Sequence, residues 1–113
     1  MADSLKVLGQ VDPAATTTTV LYTVPDKTQT TVSSIVICNR NNSNHHYRIN
    51  VSVAGATTSN KEYLFYDNVI NANTTEAHVI GITLNQTDEV KVYSDAAHLS
   101  FNLFGCETTE EDR

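Results

Sequence analysis

The segment Ile35-Val36-Ile37-Cys38 is apolar at every position, and this constrains the fold more than any other feature of the chain. Side chains of a β-strand point alternately to opposite faces, so such a strand has to keep both faces out of water. From residue 45 to 53, in contrast, apolar and polar residues alternate, which is typical of a strand with one buried and one solvated face. The sequence therefore predicts a sheet in which the strand at 35–38 buries both of its faces, whereas the strand at 45–53 buries only one.

Short segments of β character recur along the whole chain. They are separated by turn-like clusters at 25–27, 41–44, 71–73 and 85–88. The predicted strands are 5–10, 18–24, 30–39, 45–53, 62–69, 75–84 (with room for a break at Gly81), 89–94 and 98–105. About eight short strands at this spacing indicate an all-β fold, an antiparallel β-sandwich that is jelly-roll or immunoglobulin-like. The pattern alone leaves the strand order open.

The 113 residues are predicted to form a single β-sandwich domain, 1–113. The low-complexity run with a proline near 11–17 is interpreted as an extended connector, either a linker within the domain or an arm that reaches a neighbour. The residues 107–113 are interpreted as an acidic, solvated C-terminal tail.

Charge and hydropathy argue against two classes of partner. The net charge is −6 and the basic residues are scattered, whereas nucleic-acid binding needs clustered Lys and Arg. No run of about 18 apolar residues is present, so no membrane span is expected. The first residues lack the basic and apolar pattern of a secretory signal, and we expect synthesis in a cytoplasm.

No known catalytic or metal-binding motif occurs in the sequence. His45 and His46 are adjacent, so strand geometry should point them to opposite faces and prevent them from sharing one ion. Asp67 is interpreted as a strand-end or turn carboxylate that accepts backbone N–H groups. We therefore expect no enzyme activity, no cofactor and no metal site.

Two cysteines, Cys38 and Cys106, lie in or beside apolar strands. Buried free thiols are one interpretation. A disulfide between the two cysteines, or from one of them to a neighbouring subunit in an oxidising medium, is the other.

The apolar strands carry more large side chains than the inner faces of a small sandwich can absorb. A contiguous exposed patch of such side chains normally marks an interface, so we predict that neighbouring subunits cover them. Cover by loops or by the N-terminal connector is the alternative within one chain. The candidate subunit interface consists of Leu21, Ile35, Ile37, Leu64, Phe65, Ile80 and Phe104.

Several phrases of the chain resemble small virion-associated structural proteins of tailed bacteriophages. These phrases are "AATTTTVLYTVPDKTQTTVSSIVICNR", "NKEYLFYD", "ANTTEAHVIGITLNQTDEVKVYS" and "LSFNLFGCE", and the similarity covers roughly residues 7–107. The resemblance implies a virion location, as capsid decoration or cement, a neck or collar layer, or a tail or fibre component. It implies no catalytic or ligand residues.

The expected partners are further copies of the chain, in a trimer or ring, together with other virion proteins. Closed symmetry hides an apolar patch and prevents open-ended growth. A receptor- or glycan-binding module of a tail fibre or tail tip is the alternative function. It would use exposed Tyr and Asn side chains, with the loops 39–44 and 68–73 as candidate surfaces.

Overall fold

The computed structural model describes residues 2–109, and of residue 2 the backbone alone. This part of the chain consists of strands, turns and two short 3-10 turns at Val53–Gly55 and Asn60–Glu62. The strands are β1 (Ala2–Val11), β2 (Thr19–Thr23), β3 (Thr28–Asn39), β4 (His45–Ser52), β5 (Tyr63–Ile70), β6 (Thr75–His78), β7 (Ile82–Leu84), β8 (Glu89–Ser94) and β9 (Leu99–Thr109). The predicted all-β fold is confirmed, and the predicted sixth strand is divided into β6 and β7.

The strands form two antiparallel sheets that pack as a sandwich. The five-stranded sheet has the order β1-β9-β3-β6, with β7 also paired to β3, and the four-stranded sheet has the order β2-β8-β4-β5. β6 and β7 follow each other along the same edge of β3, so they act as one interrupted strand. The chain passes repeatedly from one sheet to the other, which is the strand order of a jelly roll and not of an immunoglobulin domain.

A β-bulge in β3 decides which of its residues face the core. The pairing of β3 with β9 shifts by one residue between Val32 and Ser34, and an extra residue of this kind reverses the alternation. Thr30 and Val32 therefore point inward before the bulge, whereas Ile35 and Ile37 point inward after it.

The core lies between the sheets, and Tyr47 and Phe101 are its largest fully buried side chains. Gly9 closes one corner of the sandwich, where β1 of one sheet approaches β2 of the other. A Cβ atom at Gly9 would lie within van der Waals overlap of the Leu21 carbonyl oxygen. A side chain here would therefore push the two sheets apart.

Residues 12–18 link β1 to β2 and occupy the region in which the connector was predicted. The Thr16 amide donates a hydrogen bond to the Ser94 carbonyl, which ties this link to the four-stranded sheet.

The prediction of a solvated tail from residue 107 is wrong at its start. Glu107 is buried and belongs to β9, because Lys6 and Tyr22 hold its carboxylate. The remainder of the predicted tail, 110–113, lies outside the described residues. Over residues 2–109, no helix has the length and apolar character needed to cross a membrane.

Candidate assembly surface

The structure does not bring the seven candidate interface residues together on one surface. Leu21, Ile35 and Ile37 are only 7%, 1% and 0% exposed, and all three belong to the core. The prediction that they face a neighbouring subunit is therefore wrong. For Ile35 and Ile37 the reason is the bulge in β3, which turns Val36 and Cys38 outward instead. A charge at either isoleucine would be buried in the core and would not probe an interface.

The candidates from the middle of the chain are scattered. Leu64 is exposed on β5, an edge strand of the four-stranded sheet. Phe65 is half-buried against the core, and its ring stacks on His78 at a centroid distance of 4.3 Å. Ile80 is half-buried in the segment between β6 and β7. These three positions remain interface predictions, but they do not form one patch.

Phe104 does lie in an apolar patch, on the outer face of the five-stranded sheet. Val7 pairs with Phe104 and Leu5 pairs with Cys106 across β1 and β9, so these four side chains share that face. Leu5 is 86% exposed and Val7 is 47% exposed. They line a shallow groove of about 500 Å³. We call Leu5, Val7, Phe104 and Cys106 the outer patch.

The sequence analysis missed Leu5 and Val7. The alternation Leu5, Lys6, Val7 was visible in the sequence, but alternation does not reveal which face is buried. In the folded chain, Lys6 is the inward residue, because it donates a hydrogen bond of 2.9 Å to the Glu107 carboxylate. Its apolar neighbours therefore face outward.

The two cysteines cannot form a disulfide within one chain. Both are free and half-buried, and both lie on the outer face of the five-stranded sheet. Cys38 on β3 pairs with Ser100, whereas Cys106 pairs with Thr31, which precedes Cys38 by seven residues on β3. This offset separates the cysteines by roughly 23 Å, far beyond the about 7 Å between Cα atoms that a disulfide allows. A bond to another chain stays a prediction.

A buried polar cluster supports the outer patch from the inner side of the sheet. Tyr22 donates a hydrogen bond of 2.5 Å to Glu107, and its hydroxyl lies 2.7 Å from that of Thr30. Burial raises the pKa of Glu107, but the hydrogen bonds from Tyr22 and Lys6 outweigh it and hold the pKa below its usual value. Burial, with the Glu107 hydrogen bond, raises the pKa of Tyr22. The glutamate is therefore an anion held by two donors.

His45 and His46 meet at a common partner despite their adjacent positions. Their Nδ1 atoms lie 3.1 and 3.0 Å from the two carboxylate oxygens of Asp95. The contact to His45 is short but lacks hydrogen-bond geometry, so it contributes attraction only when this imidazole is protonated. Burial raises the pKa of Asp95, but hydrogen bonds from His46 and the charges of both histidines hold it below its usual value. Across residues 2–109, no group of three or more His, Cys, Asp or Glu side chains is arranged to hold a metal ion.

Asp67 is not the turn carboxylate that the sequence suggested. Its carboxylate accepts two hydrogen bonds from Arg48, of 2.6 and 3.3 Å, on the outer face of the four-stranded sheet. The Arg48 guanidinium carbon also lies 4.3 Å from the ring centre of Tyr66 and 4.4 Å from that of Tyr93. The sheet therefore presents a cluster of aromatic rings around one ion pair.

The asparagine-rich loops, in contrast, brace each other. Asn39 donates its side-chain amide to the carbonyls of Ser43 and Asn71. The Ala72 amide donates to the Asn44 side chain. The Asn39 amide and the Asn44 side-chain oxygen are thus engaged within the fold and are not available to a glycan, whereas the use of the loops 39–44 and 68–73 as a glycan surface stays a prediction.

No protein-family model and no curated protein matches this chain. Its fold is similar to that of a chain in the structure of infectious bursal disease virus Gx strain, with a TM-score of 0.53 and 11% sequence identity. The similarity covers 94% of this chain and 31% of that chain, so this chain spans about a third of its neighbour's length. At this identity the likeness establishes a shared fold and no shared chemistry.

Proposed function

We propose that this chain is a non-enzymatic structural subunit of a virus particle. More narrowly, we propose an accessory protein of a tailed-phage virion, made in the host cytoplasm, that decorates or stabilises the particle as capsid decoration, cement or a neck or collar layer. The observation that carries the proposal is the outer patch, in which Leu5, at 86% exposure, adjoins Val7, Phe104 and Cys106 on the outer face of the five-stranded sheet.

The energetics of the outer patch favour association. Burying an apolar side chain of this size stabilises a complex by roughly 1.5–3 kcal/mol. Leu5 and Val7 also lie on β1, the edge strand of the sheet, so a partner can approach both the face and the edge.

The fold is consistent with a structural role in a virus particle but does not establish that role. Jelly rolls recur in viral capsid domains, and the structural neighbour comes from the structure of a virus. The sequence phrases that resemble tailed-phage virion proteins add the narrower assignment.

The proposed mechanism is additive. Each copy makes a modest apolar contact with another copy of the chain, in a trimer or ring, or with another virion protein. Many such contacts on a repetitive particle sum to strong attachment through multivalency. A closed ring satisfies all copies of the patch at once.

Leu5→Asp is expected to weaken self-association about ten- to hundredfold, because it places a charge in the proposed contact. Sedimentation equilibrium of the purified chain measures this effect. Leu5 is solvent-exposed in the single chain, so the thermal unfolding midpoint should barely change. Val53→Asp is the matched control, since Val53 is also exposed but lies in the 3-10 turn after β4. Loss of association in both variants, or a wild-type chain that stays monomeric at high concentration, would contradict the proposed self-contact.

Cys106 is expected to form a disulfide between two copies of the chain in an oxidising medium, where their outer patches face each other in a twofold contact that is separate from the contacts of a ring. Two thiols would give up two protons and two electrons to molecular oxygen, and the sulfur atoms would join. Non-reducing gels of the assembled protein should show a dimer that Cys106→Ser removes and Cys38→Ser leaves in place. A dimer that persists without Cys106 would exclude this pairing.

A further inference from the structure

We infer that the outer face of the four-stranded sheet holds a binding site for a neutral saccharide, in the depression formed by Asn60, Tyr63 and Tyr66. This site lies on the opposite side of the sandwich from the outer patch, and the inference does not depend on the proposed assembly function. The depression has a volume of about 330 Å³, the lower end of the range for small-molecule sites.

Two tyrosine rings form the walls of the depression. The rings of Tyr63 and Tyr66 are nearly perpendicular, at 80°, with their centres 4.8 Å apart. Tyr66 is 55% exposed, so part of its ring is accessible to a ligand. Two perpendicular rings make a corner in which the C–H face of a ligand can lie on a free ring face while its edge meets the other ring.

The backbone of β5 places these rings on the surface. The pairing of β4 with β5 is irregular at two points. Tyr66 and Asp67 together oppose Arg48, and Leu64 is an extra residue between Tyr63 and Phe65, which puts residues 63 and 66 on the same face. Asp67 adopts a left-handed backbone conformation with φ of 52°. Bulges of this kind re-aim side chains and concentrate beside functional sites. The regular alternation of a strand would not bring residues 63 and 66 to the same place.

Arg48 fixes the position of Tyr66. Its guanidinium is held between the rings of Tyr66 and Tyr93 and is bound at two points by Asp67. The Arg48 hydrogen bond also holds the pKa of Asp67 below its usual range, so the pair stays ionised. The rings are thus ordered before any ligand arrives, which reduces the entropy cost of binding.

The charge balance selects the class of ligand. The three lining side chains carry no charge, and the charges of Arg48 and Asp67 beside Tyr66 compensate each other, so these groups offer no net charge to an ion. The chain as a whole carries −6, which disfavours acidic ligands. A neutral saccharide matches the remaining groups, because its C–H face can stack on a tyrosine ring while its hydroxyls meet the Asn60 amide and the phenol groups.

A protein partner is the competing occupant, since Tyr and Arg are common anchors of protein interfaces. Such interfaces are extended surfaces, whereas the ring corner is a depression of small-ligand size. The lining of only three side chains and the absence of net charge at the Arg48–Asp67 pair therefore favour a saccharide.

Saturation-transfer NMR with the intact chain tests the inference. The probes are glucose, galactose, N-acetylglucosamine and their disaccharides at millimolar concentration. We expect at least one of them to receive saturation from the protein. Tyr66→Ala should weaken its binding about tenfold or more, because stacking on the ring is lost. Asn60→Ala should weaken it without disturbing the rings. Val69→Ala is the control, since Val69 is exposed on the same strand outside the depression.

Each possible result either supports or overturns the saccharide site. Selective loss in Tyr66→Ala, with the same thermal midpoint as Val69→Ala, supports the site. If Tyr66→Ala is unfolded, Tyr66→Leu provides the test, because it keeps apolar volume but removes the ring. Equal loss in Val69→Ala, or no saturation of any probe, overturns the inference. Reduced self-association of Tyr66→Ala without any saccharide binding would assign the face to a protein partner and overturn it as well.

Discussion

Replacement of Tyr47 by alanine should lower the free energy of unfolding by about 3–5 kcal/mol, a large share of the about 5–15 kcal/mol available to a domain of this size. Tyr47 is completely buried and lies where the two sheets face each other. Its ring packs against Phe101 and Phe65, both at a centroid distance of 6.2 Å. Alanine would leave a cavity that the neighbouring β-strands cannot fill by small movements.

The Tyr47 hydroxyl contributes separately from the ring. It donates a hydrogen bond of 2.8 Å to Glu76 and lies 2.8 Å from Nε2 of His78, which connects the four-stranded sheet to β6. Burial, together with the Glu76 hydrogen bond, raises the pKa of Tyr47 to about 12, so the hydroxyl keeps its proton throughout the neutral range.

Tyr47→Phe is the matched control for this prediction. It removes the hydroxyl but keeps the ring, and it should cost only about 1 kcal/mol. Urea denaturation followed by circular dichroism measures both variants. If phenylalanine proved as costly as alanine, the hydrogen bonds and not the packing would dominate at this position.

Glu107→Ala should be the second large destabilisation, of about 2–4 kcal/mol at neutral pH. Breaking a fully buried ion pair costs about 3–5 kcal/mol, and the value is reduced here because the Lys6 side chain is about half exposed. The alanine variant leaves the Tyr22 hydroxyl and the Lys6 ammonium without the acceptor that they share in the folded chain. Chemical denaturation at pH 7 measures this loss.

Glu107 should also make the free energy of unfolding depend on pH in the acidic range. The folded-state pKa of Glu107 lies below its ordinary value of 4.5. The stabilisation is therefore fully present above about pH 4.5 and is lost as the pH falls through the folded-state pKa. Glu107→Gln carries no charge, and its stability should decline less steeply below pH 4.5 than that of the wild type. Asp67 and Asp95 titrate in both proteins, so the difference between them isolates Glu107. Parallel pH profiles would refute the assignment.

The architecture could be predicted from the sequence because it depends on features that are local. Turn clusters and stretches of alternating residues located the strands to within a few positions, and the break near Gly81 separates β6 from β7. The strand order depends on contacts between distant segments, such as β1 with β9, and no local pattern encodes it. The choice of a jelly roll over an immunoglobulin-like sandwich therefore needed the structure.

The predicted interface was wrong at Ile35 and Ile37 because of one inserted residue in β3. The sequence shows that residues 35–38 are apolar on both faces, but not that a bulge at residue 33 turns Ile35 and Ile37 inward. Leu5 was overlooked because nothing local shows that the intervening Lys6 is the partner of the buried Glu107. The ring cluster around Arg48 depends on a further bulge in β5, which is equally invisible to a pattern of alternation.

The position of β9 between β1 and β3 has a consequence for biosynthesis. β9 follows every other described strand along the chain, yet it supplies the neighbour to which both β1 and β3 bind. A nascent polypeptide on the ribosome therefore holds two separated strands of one sheet that cannot join until this segment emerges. The five-stranded sheet can therefore form only after β9 has emerged from the ribosome. In nascent-chain proteolysis, protection of β1 should appear abruptly at that chain length and should not grow in proportion to chain length.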